Sequence, residues 1–182
     1  MQKQLETIVI GGGCFWCIDA FFRELRGVMS VVSGYAGGHT ANPDYESIHG
    51  ADTGHAEVVE LKYEPEVISF ETILDVFFAA HDPTTLNRQG HDIGSEYRSI
   101  ILFTTKEQEE TIRSKIAQIN KASIHNNPIV TEVKKLEAFY PAEEYHQDFY
   151  NKNPLKPYCS ILIGPKLQKL RKLFAPLLNT MA

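Results

Sequence analysis

Cysteine, basic residues and long apolar runs are all scarce in this 182-residue sequence. Its three cysteines, an odd number, do not suit the disulfide framework of a small secreted domain and indicate free thiols in a reducing compartment. The 18 Lys and Arg residues against 23 Asp and Glu leave a net charge of -5, which argues against binding to a nucleic-acid backbone. The amino terminus lacks the apolar region of a secretory signal, and no segment approaches the roughly 20 apolar residues of a membrane span. We therefore expect a cytoplasmic protein with no nucleic-acid or membrane partner.

The rest of the composition is that of an ordinary globular protein. Apolar residues make up 43% of the chain and charged residues 23%, without internal repeats or low-complexity tracts. A chain of this length usually forms one domain with a substantial core. We expect residues 1–182 to form a single domain.

The spacing of apolar residues predicts strands and helices in alternation. Strands are expected at residues 8–10, 28–32, 56–63, 99–103, 129–139 and 159–163. Helices are expected at residues 14–26, 69–78, 105–121, 142–150 and 165–174, with Ser69 and Thr105 as caps. This order predicts an α+β fold, a two-layer sandwich with a βαββαβ, ferredoxin-like core. Two long loops remain, residues 34–54 and 81–97, and loops of that length are usually functional or disordered.

The segment GGGCFWC, residues 11–17, places two thiols and two aromatic rings after a glycine turn. Cys14 is expected to begin a helix, where the free backbone N–H groups and the positive end of the dipole lower the pKa of a thiol. Cys17 follows on the same helical face and can form a disulfide with Cys14. Phe15 and Trp16 provide aromatic walls beside the sulfur. The segment therefore predicts a reactive thiol pair.

Three other interpretations of this segment stay open. The cysteines can be inert, buried apolar residues. A C-x-x-C pair also supplies two zinc ligands, which Cys159 and a histidine could complete, although the sequence has no second closely spaced ligand pair, so we expect no bound metal. A helix-initial C-x-x-C after a strand is also typical of a general dithiol-disulfide oxidoreductase of the thioredoxin kind.

Acidic and hydroxyl side chains stand in the other segments of interest. Glu57 lies inside the apolar strand AEVV, where burial would raise the pKa of its carboxyl group and keep it protonated as a proton donor. An exposed glutamate paired with Lys62 is the alternative. Tyr45, Asp92 and Tyr97 lie in the two long loops and add polar groups, although loop residues of this kind are often structural.

Taken together, these segments resemble the peptide methionine sulfoxide reductase A family over nearly the whole chain. The resemblance is carried by GGCFW, GYAGG, NPDY, TGHAEVV, HDPTT, RQGHDIGSEYRS, EYHQDFY and PYCSILIGPK, in that order. It implies a two-layer α+β catalytic domain, a cytosolic repair enzyme, and reduction of the S epimer of methionine sulfoxide, free or in proteins. It also implies thioredoxin as the external reductant, supplied by NADPH and thioredoxin reductase, without a bound cofactor. We expect a monomer.

The resemblance also implies roles for single residues. By position, Cys14 matches the nucleophile of the family and Glu57 its general acid. The remaining substrate-binding and proton-donating positions are matched by Phe15, Trp16, Tyr45, Asp92 and Tyr97. The segment QGHDIGSEYRS departs from the commoner QGNDRGTQYRS but keeps the Asp and the Tyr, so the departure concerns substrate preference rather than the reaction.

The resolving thiol is where the chain departs from much of the family, whose common motif has glycine at the position of Cys17. Proximity favours Cys17 as the thiol that reacts with a sulfenic acid on Cys14. Cys159, in PYCSIL, stands where many relatives place a resolving cysteine, and it stays the alternative. Neither a general dithiol oxidoreductase nor a zinc-stabilised binding module would require Glu57, Tyr45 and Tyr97 together.

Overall fold

In the computed structural model, which describes residues 4–179, strands and helices alternate along the chain. The strands are β1 (Glu6–Gly11), β2 (Val28–Ala36), β3 (Ala56–Tyr63), β4 (Arg88–Gln89), β5 (Asp92–Ile93), β6 (Ile100–Phe103), β7 (Glu132–Lys135) and β8 (Phe139–Pro141). The α-helices are α1 (Phe15–Phe22), α2 (Tyr45–Gly50), α3 (Phe70–Ala80), α4 (Lys106–Lys121), α5 (Phe149–Lys152) and α6 (Gly164–Leu173). Short 3-10 turns lie at Ser95–Tyr97, Glu144–His146 and Ala175–Leu177, and a π-helical turn lies at Tyr158–Ile163.

A mixed sheet of six strands, in the order β7-β6-β1-β3-β2-β8, forms the centre of the fold. Strands β6 and β7 are parallel and the other neighbouring pairs are antiparallel. Strands β4 and β5 form a separate hairpin in the second long loop. The prediction of an α+β fold is confirmed.

The two faces of the sheet have different coverings. Because side chains alternate along a strand, Ile8 and Ile10 of β1 point to one face and Val9 to the other. The first face packs against helices α1, α3, α4 and α6 and holds the main core. On β3 the same alternation places Glu57 on the helix-covered face, in line with Val59, and so directs an acid toward the start of α1.

Most predicted elements agree with the structure near their centres. The strand at 56–63 has the predicted bounds, and Ser69 and Thr105 cap α3 and α4 by accepting backbone N–H groups. Helix α1 ends at Phe22, four residues before the predicted end at residue 26. The long loops also contain regular structure, because α2 lies in the first and the β4–β5 hairpin in the second.

The predicted strand at 159–163 is wrong, because this segment is helical and continues into α6. The buried residues of the segment are Cys159 and Ile163, followed by Leu167 and Leu170, which is the spacing of a helical face. Ile161 lies between them and is 67% exposed. A short apolar run fits a strand or a helix equally well, and here the helical register of the following turn decides.

Two further segments differ from their predictions. The predicted strand at 129–139 divides into β7 and β8, which pair with opposite edges of the sheet. The predicted helix at 142–150 divides into the 3-10 turn Glu144–His146 and helix α5. The first break lets the chain pass from one edge of the sheet to the other, and the second lets α5 pack against α1.

A buried ion pair fixes α1 against β2. Asp19 of α1 is 1% exposed and accepts two hydrogen bonds from Arg23, at 2.7 and 2.9 Å. Ser33 of β2 donates its hydroxyl to the same carboxylate, and Arg23 also donates to the Val31 carbonyl at 2.7 Å. Burial raises the pKa of Asp19, and the guanidinium of Arg23 opposes that shift. The pair therefore holds the helix that carries the thiols in a fixed position on the sheet.

We predict that Arg23→Met lowers the free energy of unfolding by about 2 to 4 kcal/mol, because it leaves a buried carboxylate without its partner. Arg113→Met is the matched control, since Arg113 forms the same i,i+4 type of pair with Glu109 on the exposed side of α4. It should cost less than about 1 kcal/mol. Urea unfolding of both variants measures the difference, and equal losses would contradict the role of the Asp19 pair.

Candidate active site

A glycine turn delivers Cys14 to the amino-terminal end of α1. Strand β1 ends at Gly11, and Gly13 has a φ of +93°, in the left-handed region that favours glycine. A Cβ atom on Gly12 would lie 2.8 Å from the ring of His81, so this position has no room for a side chain. Cys14 occupies the N-cap position of the helix without a side-chain capping hydrogen bond and is 9% exposed. The turn therefore places a nearly buried thiol against the sheet.

The Glu57 carboxyl group lies at the same helix end. Its Oε2 atom accepts the backbone N–H of Phe15 at 2.9 Å, and the side chain is 2% exposed. Burial raises the pKa of Glu57, and the hydrogen bonds with His49 and the Phe15 N–H oppose the rise. The predicted burial and the predicted direction of the pKa shift are both found, and Glu57 is not the exposed partner of Lys62 that the alternative requires.

The expectation that Cys14 is acidic is wrong for this structure. Burial raises the pKa of the Cys14 thiol well above its ordinary value, and Cys17 and the charge of Glu57 raise it further. The helix end does not reverse this, because the first N–H of α1 already donates to Glu57. The pKa of Cys17 is lowered, chiefly by its hydrogen bond with Cys14 and also by Lys166. Each thiol therefore influences the ionisation of the other.

Aromatic rings surround the thiol pair. Trp16 stacks on Phe149 with ring centroids 3.7 Å apart and donates its indole N–H to Nδ1 of His146 at 3.1 Å. Phe15 is 1% exposed and packs against Tyr35 and His146. The contacts with His146 hold both predicted wall residues in place.

The three polar loop residues are brought to the same place. The Tyr97 hydroxyl lies 3.0 Å from Nε2 of His49. The ring centroids of Tyr45 and His49 are 4.3 Å apart. Asp92 accepts the hydroxyl of Tyr158 at 3.0 Å. Burial raises the pKa values of Tyr45 and Tyr97, with the charge of Glu57 as the next cause, so both hydroxyls stay protonated as donors.

Cys159 lies behind Cys17 rather than beside Cys14. It is fully buried, and Cys17 packs both against the cluster that contains Cys159 and against the main core that contains Cys14. Burial, followed by the influence of Cys17, raises the pKa of Cys159. All three cysteines are free thiols, and Cys17 lies between the other two in this packing arrangement.

Sequence reasoning missed three side chains of the site: His49, His146 and Tyr158. His146 and Tyr158 stood in the quoted segments EYHQDFY and PYCSIL without a role. His49 stands four residues after Tyr45, on the same face of α2, and that spacing was the available signal.

Two kinds of feature are absent from residues 4–179. No group of three or more His, Cys, Asp or Glu side chains in this range is arranged to hold a metal ion. No helix in the same range is long and apolar enough to cross a membrane.

A thiol pair at a helix start, a buried carboxyl group and protonated tyrosine hydroxyls define a thiol-dependent oxidoreductase site that can supply a proton to its substrate. Residues 6–177 match the family model described as peptide methionine sulfoxide reductase. The chain belongs to this family and is an oxidoreductase.

Individual relatives give the same result. The chain is 51% identical to the peptide methionine sulfoxide reductase MsrA of Chromobacterium violaceum, over 96% of this chain and 99% of that protein. Its structure is similar to that of reduced Mxr1 from Saccharomyces cerevisiae, with a TM-score of 0.77 and 33% identity over 86% of this chain and 90% of the other. Mxr1 in complex with Trx2 also matches, with a TM-score of 0.56 and 26% identity over 82% of this chain and 87% of the other.

Proposed function

We propose that the protein reduces the S epimer of methionine sulfoxide, free and in proteins, with Cys14 as the nucleophile and Glu57 as the proton donor. One observation carries the proposal: the buried Glu57 carboxyl group accepts the N–H of Phe15, the residue directly after Cys14. This contact holds an acid and a thiol at the same helix end. Membership in the family supports the substrate class.

The chemistry of a sulfoxide requires both groups. Its sulfur becomes a good electrophile only when the oxygen is protonated or strongly hydrogen-bonded. Glu57, whose pKa burial raises, supplies the proton, and the hydroxyls of Tyr45 and Tyr97 stabilise the oxygen. The sulfoxide, the Cys14 thiolate and one proton give methionine and a sulfenic acid on Cys14. The substrate sulfur is reduced as Cys14 is oxidised, and the oxygen ends on the Cys14 sulfur.

The raised pKa of Cys14 fits this sequence of events. The negative charge of Glu57 is one cause of that raised pKa, so a neutral Glu57 makes the thiolate easier to form. Transfer of the proton to the sulfoxide oxygen places positive charge on the substrate sulfur beside Cys14. The thiolate is therefore favoured while Glu57 is protonated and by the positive charge on the substrate sulfur, and it is disfavoured by the Glu57 carboxylate that the transfer leaves.

The rings of Phe15 and Trp16 are proposed to hold the S-methyl group. Contacts between sulfur or methyl groups and aromatic rings contribute roughly 0.3 to 1.5 kcal/mol each. The hydrogen bond of Trp16 with His146 and the stacking on Phe149 fix the orientation of the indole ring. Asp92 completes the substrate-binding set, through its contact with Tyr158.

Cys17 is proposed to resolve the sulfenic acid. Its thiol attacks the oxidised Cys14 sulfur, a disulfide forms, and the oxygen leaves as water. The hydrogen bond between the two thiols and the lowered pKa of Cys17 support this order. Cys159 can exchange with Cys17 in a second step and carry the disulfide outward. Thioredoxin, kept reduced by NADPH and thioredoxin reductase, would then reduce it, and the likeness to Mxr1 in complex with Trx2 supports this partner.

Other expectations are part of the same proposal. Residues 1–182 would form a single catalytic domain with no bound cofactor, monomeric and cytoplasmic, and the three free thiols support a reducing compartment. The finer fold assignment is a two-layer, ferredoxin-like βαββαβ core. It is supported by the order β6-β1-β3-β2 of the central antiparallel strands, with α1 and α3 in the connections.

A coupled assay with thioredoxin, thioredoxin reductase and NADPH tests the reaction. We predict turnover of the S epimer of a blocked methionine sulfoxide and none of the R epimer, with complete loss in Cys14→Ser. Cys159→Ser is the matched control, because it removes a thiol that lies outside the reacting pair and should leave single-turnover release of methionine unchanged. Reduction of insulin disulfides without reduction of either epimer would instead support a general dithiol oxidoreductase.

The resolving thiol is tested by Cys17→Ser. We predict that this variant releases one methionine per enzyme, retains a sulfenic acid on Cys14 that reacts with dimedone, and loses thioredoxin-dependent turnover. Mass spectrometry of the labelled protein measures the trapped species. Full turnover by Cys17→Ser would assign the resolving role to Cys159.

A further inference from the structure

His49 connects the buried acid to the surface. The Glu57 side chain is 2% exposed, whereas that of His49 is 24% exposed, and the His49 Nε2 atom lies 3.4 Å from Oε1 of Glu57. The other carboxyl oxygen of Glu57 already accepts the N–H of Phe15. His49 is therefore an ionisable side chain that faces the second oxygen of the acid.

The short helix α2 fixes which nitrogen of His49 carries a proton. The Nδ1 atom lies 2.7 Å from the carbonyl oxygen of Tyr45, one turn earlier in the same helix. A carbonyl oxygen only accepts hydrogen bonds, so Nδ1 is the protonated nitrogen. In the neutral ring the Nε2 atom is then an acceptor, directed at Glu57 and at the hydroxyl of Tyr97, which lies 3.0 Å away.

One proton therefore has two alternative positions in this cluster. It can lie on Glu57 and be donated to a neutral imidazole, or it can lie on Nε2 and be donated to the carboxylate. In the second arrangement the Tyr97 hydroxyl is released from Nε2 and is free to donate elsewhere. Either arrangement requires the two atoms, 3.4 Å apart, to approach by a few tenths of an ångström to reach hydrogen-bond length.

We propose that His49 is a positioning residue that shares the catalytic proton with Glu57 and returns a proton from solvent to it after each reduction. The proposal rests on the role of Glu57 given above. When Glu57 gives the shared proton to the sulfoxide oxygen, the pair is left as a carboxylate beside a neutral imidazole. The Nε2 atom of His49 then takes up a proton from solvent and, as the imidazolium, donates it to the Glu57 carboxylate, so the cycle balances.

Other charged and titratable groups face the pair from each neighbouring element. The hydrogen bond with Glu57 is the first cause that raises the pKa of His49, and the charge of Glu96 acts in the same direction. The groups that surround Glu57 and His49 are Cys14 on α1, Tyr45 on α2, Asp92 in the hairpin, Glu96 and Tyr97 in the turn Ser95–Tyr97, and His146 in the turn Glu144–His146. The charge of Asp92 raises the pKa of Glu57 and that of Glu96 raises the pKa of His49, which favours keeping a proton on the pair.

A shared proton is lost at higher pH than a proton held by Glu57 alone. The singly protonated state has two forms, one on each residue, whereas the fully deprotonated state has a single form. Without an imidazole, the proton-dependent step depends on Glu57 by itself. The pair should therefore regain a proton between turnovers at a higher pH than Glu57 alone, and repeated turnover should fall at a lower pH in a variant that cannot titrate at position 49.

The test is steady-state, thioredoxin-dependent reduction of the S epimer by His49→Gln, measured across pH and divided by the wild-type rate. The Gln side chain keeps a polar group but cannot titrate. We expect a ratio near one at about pH 5.5 that falls to one tenth or less by about pH 8.5, since lowering an apparent pKa by about one reduces the protonated fraction about tenfold at high pH. His125→Gln, the same change in the loop after α4, is the matched control and should keep a ratio near one throughout.

A structural role for His49 would give a different result. If the ring only supports α2, the ratio is lowered by the same factor at every pH, and that result overturns the proposal. Thermal unfolding confirms that each variant is folded, and His49→Asn replaces His49→Gln if the latter is not. Failure of the wild-type protein to release methionine would overturn the proposed function itself, which separates the two outcomes.

Discussion

The site depends on one hydrogen bond, from the backbone N–H of Phe15 to the buried carboxyl group of Glu57. This bond joins the first turn of α1 to β3, across the face of the sheet that holds the main core. A backbone N–H group that has no partner within the helix therefore donates to an acid rather than to solvent. The positions of the thiol at residue 14 and of the acid are thereby set by the same contact, and the ion pair of Asp19 and Arg23 keeps the helix from shifting.

The same burial sets the charges of both groups. Water is excluded from the thiol and from the acid, so the pKa values of Cys14 and Glu57 both rise. A site of this kind holds its protons until a substrate oxygen accepts one. A partner for the acid is then needed to restore the proton, and His49 lies on the solvent side of Glu57 where it can do so. The site therefore combines a buried acid and thiol with a titratable side chain, His49, that reaches solvent.

The sequence patterns predicted the elements whose formation depends on a few neighbouring residues. Strand β3 and the caps at Ser69 and Thr105 were predicted because alternation and capping act over a few residues. The helical turn around Cys159 was not predicted, because its apolar run is compatible with both a strand and a helix until its packing against α1 is known. The raised pKa of Cys14 is caused first by burial and then by Cys17 and by Glu57, which lies 43 positions away in the sequence, and the role of His49 depends on the same tertiary contact.

Proton transfer from Glu57 to the sulfoxide can be separated from the reactivity of the thiol by comparing two electrophiles. In a protein carrying Cys17→Ala and Cys159→Ala, Cys14 can react once with methionine-S-sulfoxide, which needs a proton, or with iodoacetamide, which does not. Adding Glu57→Gln should slow single-turnover release of methionine by at least about 100-fold. Alkylation of Cys14 should stay equal or become faster, because loss of the Glu57 charge lowers the pKa of the thiol. Equal changes in the two rates would contradict the role of Glu57 as the proton donor.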